Sequence, residues 1–344
     1  MKALIKKGKG PTNLGIGEME VPGIHGDEVL VRVAAGAICG SDLHIMHDRY
    51  PSTIPVVMGH EFSGVIDEVG ECVKGWKKGD RVIAEGNLET CGRCICCTTG
   101  FSHLCPDKKF LGITVDGCFA EYVKVPAKVL HRVPEQVSFE EASLAEPACV
   151  GIRALLEDNR VEAGDFIVIM GSGAIGLLAA QVAKVVGAGK VLITGIGVDV
   201  PVRFRVARDL EVCDYIVNVE KEDPIKIVRE ATAGRGADII LDASGSPMAI
   251  EQAFQMIRRK GVLAAIGIGA QTVKVPWNQM IDEVIRIQFC RGYAYTTFEK
   301  FCSLASMGRL KLRPLITGEF PLKEWEKGFQ SMESRESVKA ILRP

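Results

Sequence analysis

One run of residues constrains the fold of this chain more than any other. Phe166-Ile167-Val168-Ile169-Met170 is apolar throughout and passes straight into Gly171-Ser172-Gly173-Ala174-Ile175-Gly176. A helical pattern follows over residues 177–186, and Gly187 ends it. A strand that is apolar on both faces must be covered on both faces, which is the condition of a parallel sheet. The alternation then repeats. Strands are expected at 191–194, 215–217, 237–242 and 261–266, with helices at 202–210, 225–231 and 248–257. Alternation sustained over about 140 residues predicts a doubly wound parallel sheet.

The chain before this region has another character. Residues 1–35 alternate apolar and polar, and runs at 62–70, 79–84 and 118–125 read as short strands bounded by glycine. Ser41, after Gly40, is placed to begin a helix. A β-rich domain over 1–147 is expected, with a dinucleotide-binding domain over 148–290. The tail, 291–344, is expected to rejoin the first domain through a helix at 297–307 and a strand at 338–342. Two domains also suit 344 residues, more than one core usually supports. A net charge of −1 and the lack of a basic run argue against nucleic acid as a partner. No apolar run is long enough for a membrane span, and the N-terminus lacks the apolar core of a signal peptide. A cytoplasmic location is the resulting expectation.

Twelve cysteines in such a chain are better read as ligands or small apolar residues than as disulfides. Cys91, Cys94, Cys97 and Cys105 have spacings that suit four thiolates around a structural Zn²⁺. Cys96 reads as a bystander, and His103 is the rival ligand to Cys105. The scattered Cys72, Cys118, Cys213, Cys290 and Cys302 are expected as small buried hydrophobes. His60 and Glu61 offer an imidazole and a carboxylate, and a site with few protein ligands keeps a position open for substrate.

The glycines at 171, 173 and 176 lie between a buried strand and a helix, the context in which GxGxxG binds a dinucleotide. Gly171 permits a tight turn, Gly173 clears the approach of pyrophosphate, and Gly176 lets helix and strand pack closely. The helix start at Ala174 and Ile175 supplies N–H donors to phosphate. A carboxylate is expected at the end of the next strand to hold the ribose. Gly195 stands there instead, and no acid appears before Asp199. Arg203 and Arg205 follow, and either suits a 2′-phosphate or simple solvation. NAD and NADP both remain open.

The motif Gly59-His60-Glu61 with Gly64, Gly70 and Val73, the four-cysteine loop and the later glycine loop together resemble the zinc-dependent medium-chain dehydrogenases. Glu61 after His60, and Glu146-Pro147-Ala148-Cys149, resemble the polyol branch, related to sorbitol and threonine dehydrogenases. The resemblance implies a GroES-like catalytic domain joined to a Rossmann-type domain. It implies Cys39, His60 and Glu61 around a catalytic Zn²⁺. Glu146 would be a fourth ligand or would bind the zinc water, exchange between the two glutamates is a further option, and Cys149 is a rival ligand. Ser41 and His44 would relay the proton, with Ser41 as a plain helix cap the alternative. His47 reads as a surface residue.

The expected activity is reversible oxidation of a secondary alcohol, a polyol in the first instance, by hydride transfer to NAD or NADP. A threonine-type or sugar-phosphate substrate is the enzymatic alternative. A non-catalytic structural relative is the alternative from another class. A small-molecule partner and a homo-oligomer, dimer or tetramer, are expected.

Overall fold

A computed structural model describes residues 1–269 and 272–344. The chain forms two compact units. One comprises Met1–Glu146, Tyr293–Gly308 and Ile316–Pro344, the other Pro147–Gly292 and Arg309–Leu315.

The first unit is built on a sheet in the order Leu130–Arg132, Arg81–Ala84, Glu61–Val69, Glu28–Ala37, Lys339–Arg343, Ile316–Pro321, with Tyr122–Pro126 also paired to Glu28–Ala37. All pairs are antiparallel except the last two strands, which run parallel. The register along Glu28–Ala37 slips at Leu30/Val31 and Val33/Ala35. Such bulges add twist and bend a strand, so one long strand can serve several partners. Val29, Val31, Phe62, Ile66, Val82, Phe119, Val123, Phe329 and Leu342 fill the core. Each large side chain there contributes roughly 1.5–3 kcal/mol.

The register also prepares a site. Ala37 faces Glu61, so the end of one strand brings Cys39 towards the start of the other. Gly59 makes the turn before it with φ +92, and a Cβ there would lie 2.6 Å from the Phe119 ring. No other residue type fits both constraints.

The strand expected over 118–125 begins only at Tyr122. Cys118 and Phe119 instead donate their N–H groups to the carbonyls of Gly59 and Met58, fixing that turn. Cys72 is exposed rather than buried, because it sits in a turn where its N–H meets the Gly26 carbonyl. Cys118 is buried, while Cys213, Cys290 and Cys302 are intermediate.

The second unit is a six-stranded parallel sheet ordered Tyr215–Asn218, Lys190–Gly195, Phe166–Met170, Ala237–Asp242, Ile257–Ala265, Arg286–Phe289. Every residue of Phe166–Met170 is buried, as its unbroken apolar run requires, and every residue of Ala237–Asp242 is buried too, Asp238 and Asp242 included. The helices Ala174–Val185, Arg203–Leu210, Pro224–Ala231 and Pro247–Met256 connect the strands.

Candidate metal centres and dinucleotide loop

Cys39, His60 and Glu61 each offer a ligand atom, and these atoms lie within 4.8 Å of one another. Cys39 precedes the helix Gly40–Met46 and is its cap: its N–H donates to Asp42 Oδ2 at 2.9 Å. Ser41 is therefore inside the helix, and the cap role falls to Cys39, two residues before it. His60 and Glu61 are buried, and His60 Nδ1 stands 3.7 Å from Asp42 Oδ1 without a hydrogen bond. Both Glu61 carboxylate oxygens likewise make no hydrogen bond. Lys339 Nζ is 2.5 Å from Glu61 Oε2, an ion pair by distance whose angle is not that of a hydrogen bond.

Buried polar atoms without partners are costly and uncommon. Here several converge, and all are metal-ligating types. A thiol, an imidazole and a carboxylate at this spacing fit a divalent cation of borderline softness.

The electrostatics agree. Burial opposes charge on His60, but the Asp42 carboxylate and Cys39 outweigh it and hold the ring well above its usual range. Burial opposes charge on Lys339 too, yet Glu61 and Cys39 lift its pKa. Glu146 lies outside the trio, on the helix Ala145–Ile152. Burial pushes it up to about 7, with His60 pulling down, Glu61 pushing up and Tyr293 in hydrogen-bond contact.

Ser41 Oγ is 3.4 Å from His60 Nε2. His44 lies one turn on, on the same helical face. His47 pairs with Glu333 at 2.9 Å, an ordinary surface contact. Cys149 is buried in its helix and belongs to neither ligand group.

The second group is Cys91, Cys94, Cys97 and Cys105. The sulfurs of Cys94 and Cys97 are 3.5 Å apart, those of Cys91 and Cys97 4.0 Å. A zinc tetrahedron with bonds of about 2.3 Å has edges of about 3.8 Å, whereas a disulfide would need about 2.05 Å. The N–H groups of Cys94 and Cys91 donate to the sulfurs of Cys91 and Cys105, each at 3.4 Å. The Cys91 thiol is lowered to about 6, chiefly by the backbone N–H groups of Arg93 and Cys94. Among the described residues, Cys96 and His103 stand outside this group.

The glycine loop leaves the strand Phe166–Met170 at Gly171, φ +112. A Cβ on Gly176 would meet the Gly171 carbonyl oxygen at 2.0 Å, so helix and strand touch there. A Cβ on Gly173 would meet nothing within 4 Å, so this glycine faces open space. The helix Ala174–Val185 starts there, with the N–H groups of Ala174 and Ile175 in its first turn. Open room before a helix N-terminus suits a pyrophosphate. Gly195 ends its strand, and Arg203 Nη1 pairs with Asp199 Oδ1 at 3.1 Å, while Arg205 is exposed.

Sequence reasoning missed Lys339, Tyr293 and Asp42. A single lysine in a late strand carries no spacing signal. Tyr293 is set by a long-range contact, the Gly86 N–H donating to its hydroxyl at 3.0 Å. Asp42 alone had a local cue, three residues after Cys39 at a helix start.

Two family models match the chain: an alcohol dehydrogenase GroES-like domain over residues 25–135 and a zinc-binding dehydrogenase over 174–307. A sorbitol dehydrogenase of Halalkalibacterium halodurans is 36% identical over 345 residues, covering 100% of this chain and 99% of its own. An L-threonine 3-dehydrogenase of Bacillus subtilis is 39% identical over 351 residues, with coverage of 100% and 99%. A zinc-binding dehydrogenase of Sinorhizobium meliloti, solved bound to NADP, superposes with a TM-score of 0.91 at 26% identity, covering 100% of this chain and 99% of that one.

Proposed function

Because the chain belongs to the zinc-dependent medium-chain dehydrogenase/reductase family, in its polyol branch, we propose that it oxidises a secondary alcohol, a polyol by preference, reversibly to a ketone with NAD(P) as hydride acceptor. The observation that carries this reading is the convergence of Cys39, His60 and Glu61, in which His60 Nδ1 and both Glu61 oxygens are buried without a hydrogen-bond partner. When bound, Zn²⁺ would act as a Lewis acid on the substrate hydroxyl, and the nicotinamide would accept the carbinol hydride.

The chain's own residues supply the rest. Cys39, His60 and Glu61 would hold the ion, with Glu146 completing the set directly or through water. Lys339 offsets the negative charge that Cys39, Glu61 and Glu146 bring into one buried volume. Ser41 Oγ would take the hydroxyl proton, and His44, half-buried one turn away, would pass it to solvent. Cys91, Cys94, Cys97 and Cys105 would hold a second, structural zinc, giving two per chain.

In this reading the first unit is the catalytic domain and the second binds the dinucleotide through Gly171, Gly173, Ala174, Ile175 and Gly176. A homo-oligomer, dimer or tetramer, is part of the proposal. Its support is the edge strand Arg286–Phe289, where Phe289 is exposed, and the helix Trp277–Asp282 just before it in the chain, where Trp277 and Ile281 are exposed. A cytoplasmic location is proposed on the twelve cysteines, which form no disulfide among the described residues and suit a reducing compartment.

The similarity to an L-threonine 3-dehydrogenase favours a hydroxy amino acid as the second reading. The presence of the whole trio and both relay residues argues against a non-catalytic role.

The test is reduced-cofactor absorbance across polyols, L-threonine, sugar phosphates and simple secondary alcohols, before and after zinc removal. Turnover that needs zinc and favours a polyol supports the proposal. Turnover unchanged in verified zinc-free protein overturns it.

A further inference from the structure

Gly195 ends its strand where a dinucleotide-binding sheet carries the carboxylate that holds the adenosine ribose. The space for that side chain is not empty. A Cβ on Gly195 would lie 2.6 Å from Phe204 Cε1, 2.7 Å from Ser172 Oγ and 2.9 Å from Asp199 Oδ2. An aspartate's own carboxylate oxygens stand about 2.4 Å from their Cβ, by ordinary bond lengths. Asp199 therefore brings a carboxylate oxygen within 2.9 Å of the point from which an acid at position 195 would have projected. The short turn Gly197–Asp199 folds the chain back to do this.

We propose that Asp199 is the ribose-reading carboxylate of this chain, and that with Glu220 it makes the site select NAD over NADP. This rests on the dinucleotide reading of the glycine loop.

Asp199 is buried and fixed in orientation. Its Oδ2 accepts the Ile196 N–H at 3.0 Å, and its Oδ1 pairs with Arg203 Nη1 at 3.1 Å. A carboxylate oxygen can accept more than one hydrogen bond, so these contacts are compatible with a ribose hydroxyl. Arg203 is the basic group held against this carboxylate, so its charge already has a counter-charge before a 2′-phosphate arrives. Glu220 adds a second anion to the loop: its Oε2 accepts the Gly197 N–H at 2.8 Å. A dianionic 2′-phosphate would meet two carboxylates, and like charges at close range are unfavourable.

Two further atoms point to a hydroxyl-bearing ligand. Ser172 Oγ and Asn218 Nδ2 are buried and make no hydrogen bond in the structure. The first lies beside Gly195, and the second is 4.0 Å from the Cβ position of Gly197. Buried donors of this kind normally have a partner, and ribose hydroxyls would supply one.

The test is equilibrium binding by calorimetry on the full-length protein, with four probes: NADH, NADPH, AMP and adenosine 2′,5′-bisphosphate. The last two report on the adenosine site without a nicotinamide. NADH and AMP should each bind at least about 10-fold tighter than their 2′-phosphorylated partners, the scale of one hydrogen bond to a charged group. Asp199→Asn should weaken NADH by about 10- to 100-fold and NADPH by less. Glu220→Gln alters an exposed side chain and should narrow the discrimination several-fold while NADH still binds. NADPH binding as tightly as NADH in the unaltered protein overturns the proposal. So does Asp199→Asn folding normally with NADH affinity unchanged. Should Asp199→Asn not fold, the four-probe ranking and Glu220→Gln decide. If none of the four probes binds, the glycine-loop reading itself fails, and this inference with it.

Discussion

Replacing Lys339 by methionine tests the electrostatic reasoning behind the metal centre. Lys339 is 3% exposed and Glu61 0% exposed, with the charged atoms 2.5 Å apart. At an effective dielectric constant of about 20 their attraction is about 7 kcal/mol. Desolvation costs several kcal/mol per ion, so the pair is near balance as a pair. Removing one partner is different, because it leaves a buried carboxylate without compensation, at about 3–5 kcal/mol. In zinc-free protein, Lys339→Met should therefore destabilise the first unit by about that amount. Zinc should restore much of the loss, since the cation supplies the missing countercharge. Adding Glu61→Gln should also restore much of it, because the unpaired charge is then gone. Denaturant titration followed by tryptophan fluorescence suits the measurement. Trp76 and Trp325 pack on the core of this unit, whereas Trp277 is largely exposed. A loss below about 1 kcal/mol in zinc-free protein, or a double variant as unstable as the single one, would refute the reasoning.

Cys97→Ser should lower zinc from two to one per chain by elemental analysis and speed proteolysis within residues 91–105; unchanged zinc content would remove the structural site from the account. Gly173→Val should leave thermal stability within a few degrees but abolish NADH binding, because the new side chain enters open space that the pyrophosphate needs. Gly176→Val should instead fail to fold stably, since its Cβ would collide with the Gly171 carbonyl; the two variants behaving alike would contradict the loop geometry. For Asp238, burial raises the pKa, but the Phe166 N–H and the guanidinium groups of Arg235 and Arg258 outweigh it and hold the carboxyl below 3.8. A depressed folded value means stability that is present above the unfolded pKa and lost as pH falls through the folded one. Asp238→Asn should thus cost about 1–3 kcal/mol at neutral pH, and the gap should close below about pH 4 in acid titrations followed by circular dichroism.

The second unit was legible because burial on both faces writes itself into consecutive residues. Phe166–Met170 occupies the residues that its apolar run predicts, and Ala237–Asp242 the residues expected for a strand around its apolar centre Ile239-Ile240-Leu241. Arg286–Phe289 was not legible: it is the edge strand, its residues are exposed or half-exposed, and the alternation of Arg286, Ile287, Gln288 and Phe289 is only four residues long. The helix Trp325–Glu333 escaped for a similar reason, since only Gly328 and Phe329 of it are buried. In the first unit, the start of Tyr122–Pro126 depended on where Gly59 turns, and that lies far away in sequence.

The candidate site divides along the same physical line. Ligands that share a loop leave a spacing, so Cys91, Cys94, Cys97 and Cys105 could be grouped before any coordinates. Cys39 and His60 share no loop, and what joins them is the register that sets Ala37 opposite Glu61. Without the family resemblance, nothing in the spacing would have chosen Cys39, which is half-buried, over Cys118, which is buried and whose thiol reaches the Glu61 carbonyl at 3.6 Å. The structure separates them by environment. Burial pushes the Cys118 thiol far up, with Asp42 and Glu61 adding to the effect, so it stays a neutral core residue. Cys39 instead stands at a helix start, within ligand distance of an imidazole and a carboxylate. A thiol becomes a ligand where other donor atoms converge on it, and sequence spacing reports that only when those donors are near neighbours in the chain.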